Sequence, residues 1–143
     1  MTISQISVFL ENKAGQLADI TGVLSENQVN MRAISIAETA DYGVLRLIVD
    51  DASKASSILL EKGFILTMTP VVGVVVPDVP GGLSKVLGII STAGIDIEYM
   101  YSVFGQKDGQ ACMIFRAADT EELAAVLEKN GIGTISGEDL GIH

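Results

Sequence analysis

The sequence predicts an α+β protein made of two tandem β-α-β-β-α-β units, in which each antiparallel sheet carries two helices on one face. Two observations lead to this prediction. The halves repeat one another, because the shift that places Gly15 on Gly81 brings turn and helix residues of both halves into step. Hydrophobic periodicity then gives the same order of strands and helices in each half. We therefore expect two domains, at residues 1–69 and 70–143.

The first half predicts its elements in order. Ile3 to Leu10 alternates apolar residues at period two, which is typical of a strand. Apolar residues from Leu17 to Leu24 recur at helical spacing, and Asp51 is placed to cap a second helix. The expected strands are 3–10, 30–38, 44–49 and 64–69, with a hairpin turn at 40–43 and Gly63 ending the second helix.

The second half predicts the same order. Apolar residues from Leu83 to Ile90 form a helical stripe that Gly94 ends, and Asp119 followed by Glu122 resembles a capping box. The expected strands are 71–76, 95–104 and 110–116, with a short strand near Thr134 after Gly131 closes the last helix. Two such units have the ferredoxin-like arrangement.

The second strand of the first half is apolar on both faces. Strict alternation predicts that Ile34 and Ile36 point opposite to Met31 and Ala33. A sheet with helices on one face and water on the other alternates more cleanly. We expect the second face or an edge to be covered by the sister domain or another chain. The alternative is single exposed apolar residues, which are ordinary.

Composition excludes several classes of function. The chain has 143 residues, with 9 basic and 18 acidic ones and a net charge of -9, which disfavours binding to nucleic-acid phosphates. The only histidine is His143 at the chain end, and the only cysteine is Cys112 in a predicted strand. A catalytic triad, a His-rich metal site and an internal disulfide are therefore disfavoured. We expect no enzymatic activity, no catalytic residue, no metal and no cofactor.

No segment reads as a membrane anchor or signal. The longest apolar stretch, 63–77, contains Pro70 and falls short of the ~20 apolar residues that span a bilayer. Residues 1–11 lack the basic and apolar regions of a signal peptide. The sequence therefore predicts a cytoplasmic protein without a membrane partner.

The first strand-to-helix turn of each half carries the functional signal. Such a turn places free backbone N–H groups at a helix N-terminus, where the helix dipole favours a carboxylate. Gly15 and Gly81 allow close approach of a ligand to the backbone, and Asn12 and Asp78 add side-chain oxygens. A zwitterionic amino acid suits this combination of donors and acceptors.

These turns resemble those of the ACT domain. The shared pattern is a strand, then Asn or Asp, a Pro or Ala, Gly and Leu opening a helix, then Asn or Asp at the start of the next strand. The matching residues are Asn12, Gly15, Leu17, Val29, Asn30 and Met31 in the first half, and Asp78, Pro80, Gly81, Leu83, Ile95, Asp96 and Ile97 in the second. The first half departs from the pattern at Ala14, where the family usually has Pro. The resemblance covers essentially the whole chain as two copies. It implies a regulatory module that binds an amino acid between two ACT copies and signals to a partner.

The resemblance also implies which residues bind. Ligand contacts in the family come from the turn of one copy and often from the start of strand two in its neighbour. Carried over, the candidates are Asn12, Ala14, Gly15, Gln16, Leu17, Asn30, Asp78, Val79, Pro80, Gly81, Gly82, Leu83 and Asp96. Each has a structural alternative: the glycines make tight turns, the leucines are core residues, and Asn30 and Asp96 cap the preceding turn.

Several functions remain open at this stage. The leading prediction is a free-standing amino-acid sensor, acting as a homodimer or through an enzyme partner. One alternative is the regulatory small subunit of a biosynthetic enzyme, as in acetolactate synthase, and another is a pure oligomerisation module. A third is an enzyme on the same scaffold, since fold does not fix function; no convergent polar cluster supports it.

Overall fold

The computed structural model describes residues 2–11, 13–38, 42–105 and 109–142. The chain forms two compact units, which we call the N-terminal unit, built around Ser4–Thr69, and the C-terminal unit, built around Pro70–Leu140. Ile3 belongs with the C-terminal unit and Gly141 with the N-terminal unit. That each half folds as an independent domain stays a prediction.

The N-terminal unit has the predicted β-α-β-β-α-β order. Its strands lie in the order β2-β3-β1-β4, and β1 and β2 each run antiparallel to β3. The elements are β1 (Ile3–Glu11), α1 (Gln16–Glu26), β2 (Met31–Glu38), β3 (Tyr42–Val49), α2 (Ala52–Glu61) and the first part of β4 (Ile65–Pro77).

The C-terminal unit repeats this order. Its strands lie in the order β5-β6-β4-β7, with all three pairings antiparallel. The elements are the second part of β4, α3 (Gly82–Thr92), β5 (Tyr99–Ser102), β6 (Gln110–Arg116), α4 (Thr120–Lys129) and β7 (Thr134–Ile135), followed by a 3-10 helix at Glu138–Leu140. The α+β fold of two tandem ferredoxin-like units is thus confirmed; the terminal 3-10 helix was not predicted.

Each unit buries the apolar stripe of its helices against its sheet. In the N-terminal unit, Ile20 and Leu24 of α1 and Leu59 of α2 meet Val8 and Leu47 of the strands. These side chains are almost wholly inaccessible to water. The equivalent core of the C-terminal unit contains Val74, Val86, Ile90, Phe115, Leu123 and Leu127. The hydrophobic effect therefore fixes the helices on one face of each sheet, as the periodicity predicts.

Two strand assignments differ from the sequence prediction. The expected strands at 64–69 and 71–76 are one strand, Ile65–Pro77, with Pro70 inside it. Proline fits an extended chain wherever its missing N–H is not needed by a neighbour. The expected strand at 95–104 shortens to Tyr99–Ser102, and its start is set by β6, which ends at Arg116 opposite Tyr99. The predicted turn at 40–43 lies largely outside the described residues, as do Asn12 and His143.

The face predicted for Met31 in β2 was wrong. The pairing of β2 with β3 shifts at Arg32, so that Met31 pairs with Val49 while Ala33 pairs with Ile48. Such a β-bulge adds one residue and breaks the period of two. Met31 and Ile34 consequently both pack against the helix-facing core, although alternation placed them on opposite faces.

Candidate functional site

The four long helices begin in two different ways. The helices α2 and α4 are capped by Asp51 and Asp119, whose carboxylates accept the N–H groups of the third residue of each helix, as predicted. The helices α1 and α3 have Gly15 and Gly81 at the capping position, with φ of 84° and 83°, and within the described residues neither shows a side-chain cap. The helices that follow the predicted turns thus lack the caps that the other two possess.

In the first turn, the chain passes from β1 to α1 through residues 11–17. The Gln16 N–H lies 3.5 Å from the Lys13 carbonyl oxygen, and the Asp19 N–H makes the first intrahelical bond to the Gly15 carbonyl at 2.9 Å. The Gln16 side chain adds a second link, since its Oε1 accepts the Glu11 N–H at 2.7 Å. The left-handed Gly15 reverses the chain at the point where a side chain would be strained.

A cleft of about 280 Å³ opens beside the first turn. Ala14, Gln16 and Leu17 of the predicted set line it, and Leu17 also packs against the core. The other lining residues come from the ends of three strands and from the turn: Leu10, Glu11, Lys13, Ile36, Glu38 and Gly43. The cleft therefore combines an aliphatic surface with charged groups of both signs, and its volume lies slightly below the range of about 300–1,000 Å³ typical of small-ligand sites.

Lys13 and Glu11 form an ion pair at the mouth of this cleft. Their charged atoms are 2.6 Å apart, and both side chains are largely exposed. The hydrogen bond and the charge of Lys13 lower the pKa of Glu11, and those of Glu11 raise the pKa of Lys13. Both groups therefore carry their charges across the neutral pH range, and water screens the pair.

The second turn has the same backbone plan. The Gly82 N–H donates to the Val79 carbonyl and the Lys85 N–H to the Gly81 carbonyl, each at 3.0 Å. The Asp78 N–H donates to the Gly109 carbonyl at 3.1 Å, which ties the end of β4 to the start of β6. Asp78, Val79, Pro80 and Gly81 are exposed, whereas Leu83 packs against the core.

Gly82 lies so close to the end of β4 that no residue with a side chain fits at this position of the second turn. It is buried, and a Cβ atom at this position would overlap the Pro77 carbonyl oxygen. The first turn places Gln16 at the equivalent position. The two turns thus share their backbone plan but differ in which group lies against the start of the helix.

The structure separates Asn30 and Asp96 from the turns of their own units. Asn30 lies where β3 ends, since its N–H and C=O bond the side chain and backbone of Asp50 at 3.0 Å each. The first turn lies at the other end of β3, beside Gly43, roughly 20–25 Å away along the strand. Asp96 likewise precedes Tyr99, which pairs with Arg116, whereas the second turn follows Pro77, which pairs with Gln110 at the opposite end of β6.

Ile36, Glu38 and Gly43 were missed by the sequence analysis, although they line the first cleft. A signal for them existed. The hairpin brings the end of β2 and the start of β3 beside the end of β1, because Glu38 pairs with Gly43 and Leu10 pairs with Gly43. Antiparallel pairing alone therefore places these residues next to the turn.

Cys112 carries the one thiol of the sequence. Cys112 is buried, and burial raises the pKa of its thiol to about 11, so it is neutral at physiological pH. Across the described ranges, no group of three or more His, Cys, Asp or Glu side chains is placed to hold a metal ion. Within the same part of the chain, no helix is long and apolar enough to cross a membrane.

Comparison with known proteins decides the family. A family model described as an ACT domain pair matches residues 1–142. The chain belongs to the ACT family. The resemblance inferred from the turn motifs is thereby confirmed. The N-terminal and C-terminal units of this ACT pair correspond to the two repeated halves of the sequence. A search of curated proteins gave no match.

Solved structures share this ACT-pair fold. Protein BT0572 from Bacteroides thetaiotaomicron is 40% identical with a TM-score of 0.91, over 99% of this chain and 96% of that one. The ligand-free regulatory subunit of aspartate kinase from Thermus thermophilus is 18% identical with a TM-score of 0.64, over 88% and 91% of the two chains. A structure of aspartokinase alpha and beta subunits is 18% identical with a TM-score of 0.59, over 88% and 90%. The last two likenesses show the fold alone.

Proposed function

We propose that this ACT pair is a non-catalytic regulatory protein of the cytoplasm that binds an amino acid at its strand-to-helix turns, at an interface between ACT copies. One observation carries the proposal. The helices α1 and α3 begin at left-handed glycines without a side-chain cap, whereas aspartates cap α2 and α4. Among the residues that the structure describes, the two helix starts without an aspartate cap are thus those at the turns of the family motif.

The chemistry of the first cleft supports an amino acid as the ligand. Backbone N–H groups at the start of α1, together with the helix dipole, favour the α-carboxylate. Glu38 supplies a negative charge for the ammonium group, and Leu17 and Ile36 supply aliphatic surface for the side chain. One small zwitterion can therefore satisfy all three features of the cleft.

The proposed binding residues come from both turns and from the start of strand two. Asn30 and Asp96 lie far from the turns of their own units, so we propose that they meet a ligand bound to a different ACT copy, as in a homodimer. The full set is Asn12, Ala14, Gly15, Gln16, Leu17, Asn30, Asp78, Val79, Pro80, Gly81, Gly82, Leu83 and Asp96.

Thermal unfolding with each of the twenty standard L-amino acids tests the proposal. A ligand present at about one hundred times its dissociation constant stabilises the folded state by about 2.7 kcal/mol. We expect one amino acid, or a small chemical class of them, to raise the melting temperature. If none raises it, the sensing proposal is wrong.

Valine substitutions locate the site. Gly15→Val and Gly81→Val add bulk where a ligand would approach, and we expect weaker amino-acid binding. The matched control is Gly63→Val, because Gly63 has a similar φ of 89° and open space around its Cβ position, but follows α2. Unchanged affinity in both turn variants would show that the ligand binds elsewhere.

The partner is tested separately. Isolation of the chain from its native cells together with a large enzyme subunit would favour the alternative of a regulatory small subunit, as in acetolactate synthase. A stable oligomer by light scattering with no response to amino acids would favour the alternative of a pure oligomerisation module.

A further inference from the structure

Two of the four long helices end at an asparagine that makes the same side-chain hydrogen bond. At the ends of α1 and α4, the Nδ2 of Asn27 and of Asn130 donates to the carbonyl oxygen four residues earlier, at 2.8 Å in each case. The next residue is left-handed in both helices, with φ of 59° at Gln28 and 72° at Gly131. The two helix ends thus share their geometry and differ in the residue that follows the asparagine.

That following residue decides how readily the asparagine reacts with its own backbone. The peptide nitrogen of the next residue can attack the side-chain carbon Cγ of an asparagine, because the product is a five-membered ring. A side chain on the next residue hinders this attack, and glycine has none. Asn130 is the one asparagine of the sequence that precedes a glycine. Asn130 and Gly131 are both exposed, and open space surrounds the position where a Gly131 Cβ would lie.

Hydrogen bonds at the end of α4 restrain this reaction in the folded protein. The Gly131 N–H, which carries the attacking nitrogen, donates to the Glu128 carbonyl oxygen at 3.1 Å. The Asn130 N–H is also bonded, to the carbonyl oxygens of Val126 and Leu127 at 3.2 Å each. These bonds belong to the last turn of a helix, and exposed helix ends open at a low cost in free energy. Opening of this turn alone therefore frees the attacking nitrogen.

We propose that Asn130–Gly131 is a site of spontaneous deamidation. The bond that forms joins the Gly131 nitrogen to the Asn130 Cγ, and the bond that breaks joins Cγ to Nδ2. The proton of the attacking N–H leaves with the Nδ2 group as ammonia, which gives a cyclic succinimide. Water then opens the ring at either carbonyl carbon and leaves aspartate or isoaspartate, with no change of oxidation state. This inference is independent of the proposed function.

The product weakens the helix end that contains it. A carboxylate has no hydrogen to donate, so an oxygen replaces the Nδ2 group that lay 2.8 Å from the Val126 carbonyl oxygen, and the two oxygens repel. The new negative charge also lies at a helix C-terminus, where the helix dipole is unfavourable to anions. Ile132 follows, with its N–H bonded to the Leu127 carbonyl oxygen at 2.9 Å and its side chain against the core. Deamidation therefore loosens the connection from α4 to β7.

The two helix ends provide a matched pair for the reaction rate. The full chain is held at mildly alkaline pH, which favours loss of the peptide proton, and peptide mapping by mass spectrometry follows each asparagine. We expect Asn130 to convert at least about tenfold faster than Asn27, because glycine leaves the attacking nitrogen unhindered. Gln28→Gly should raise the rate at Asn27 towards that at Asn130, and this variant should fold because position 28 is already left-handed.

Two results of the rate experiment would overturn the proposal. One is an equal rate at Asn27 and Asn130 in the wild-type chain. The other is an intact Asn130 in the folded chain under conditions in which the urea-unfolded chain converts, because the last turn of α4 would then protect the site.

Asn130→Asp tests the consequence of the reaction, because it reproduces the aspartate product. We expect the amide hydrogens of Gly131 and Ile132 to exchange at least about tenfold faster than in the wild type, since their hydrogen bonds close the last turn. Asn130→Ala is the control, because it removes the donor without adding a charge, and its acceleration should be smaller. Wild-type exchange in Asn130→Asp would overturn the loosening, and equal exchange in the two variants would overturn the contribution of the new charge.

Discussion

The first and second turns of this ACT pair both lead the chain from a strand into a helix, but different atoms lie beside the start of each helix. Both reverse the chain at a glycine with φ near 84°, and in both this glycine occupies the capping position of the helix that follows. At the first turn, the Gln16 side chain reaches back to the strand. At the second, the backbone of Pro77 lies so close that only glycine fits at position 82. The comparison teaches that the glycine is common to both copies, while the group beside the helix start is specific to each.

The largest expected effect is at Gly82. Gly82→Ala places a Cβ atom against the Pro77 carbonyl oxygen, and neither backbone segment can move cheaply. We expect a loss of about 3 kcal/mol in the free energy of unfolding, measured by urea denaturation. Gly88→Ala is the control, because it lies in the same helix with open space around its Cβ position and should stabilise by about 0.5–1 kcal/mol. Equal stability of the two variants would show that the close approach of Pro77 does not constrain the turn.

The next largest effect is the loss of stability when the left-handed glycine of a turn is replaced by alanine, and it should be equal in the two turns. Gly15→Ala and Gly81→Ala place an L-residue in the left-handed region, with φ of 84° and 83° and open space around each Cβ position. Only conformational strain then remains, at about 1–2 kcal/mol for each. We expect the two losses in urea denaturation to agree within about 0.5 kcal/mol. A markedly larger loss of unfolding free energy at one turn would mean that the two turns differ in backbone strain, although their glycines have similar φ angles.

The fold was readable from the sequence because burial repeats with the period of each element. Leu24, Leu59, Val86 and Leu127 are buried at the spacing that predicted their helices. Asp51 and Asp119 were identified as caps because they immediately precede helical patterns. What the sequence could not reveal depends on the partner strand. The bulge at Arg32 is set by pairing with β3, and no local pattern marks it.

The candidate site was only partly readable for the same reason. The turn residues follow from a local motif, so Ala14, Gln16 and Leu17 were proposed and do line the first cleft. Glu38 and Ile36 reach that cleft through strand register, which a local motif does not contain. That these residues bind a ligand stays a prediction, because the ligand is a separate molecule that the sequence does not specify.

The third prediction concerns variants that make the first turn resemble the second by removing the hydrogen bond between Glu11 and Gln16. Gln16→Ala leaves the Glu11 N–H without its acceptor, which we expect to cost about 1 kcal/mol in urea denaturation. In a Glu11→Pro background the N–H is absent, as at Pro77, so the same substitution should cost close to nothing. A double-mutant cycle measures this coupling. Glu11→Gln is the control background, because it keeps the N–H and removes the charge. An equal cost of Gln16→Ala in all three backgrounds would contradict the link.

The smallest expected effect concerns the ion pair between Lys13 and Glu11 at the first turn. Lys13 lowers the pKa of Glu11, so any stabilisation by Glu11 is present above its unfolded pKa and is lost as pH falls through the folded value. The raised pKa of Lys13 works at the other limit, where stabilisation is lost as pH rises through its folded pKa. Lys13→Gln should therefore raise the pKa of Glu11 in an NMR titration, and high salt should reduce the difference because both groups are exposed. Lys54→Gln, at another exposed lysine, should leave Glu11 unchanged; an equal shift in both variants would assign the effect to net charge and not to the turn.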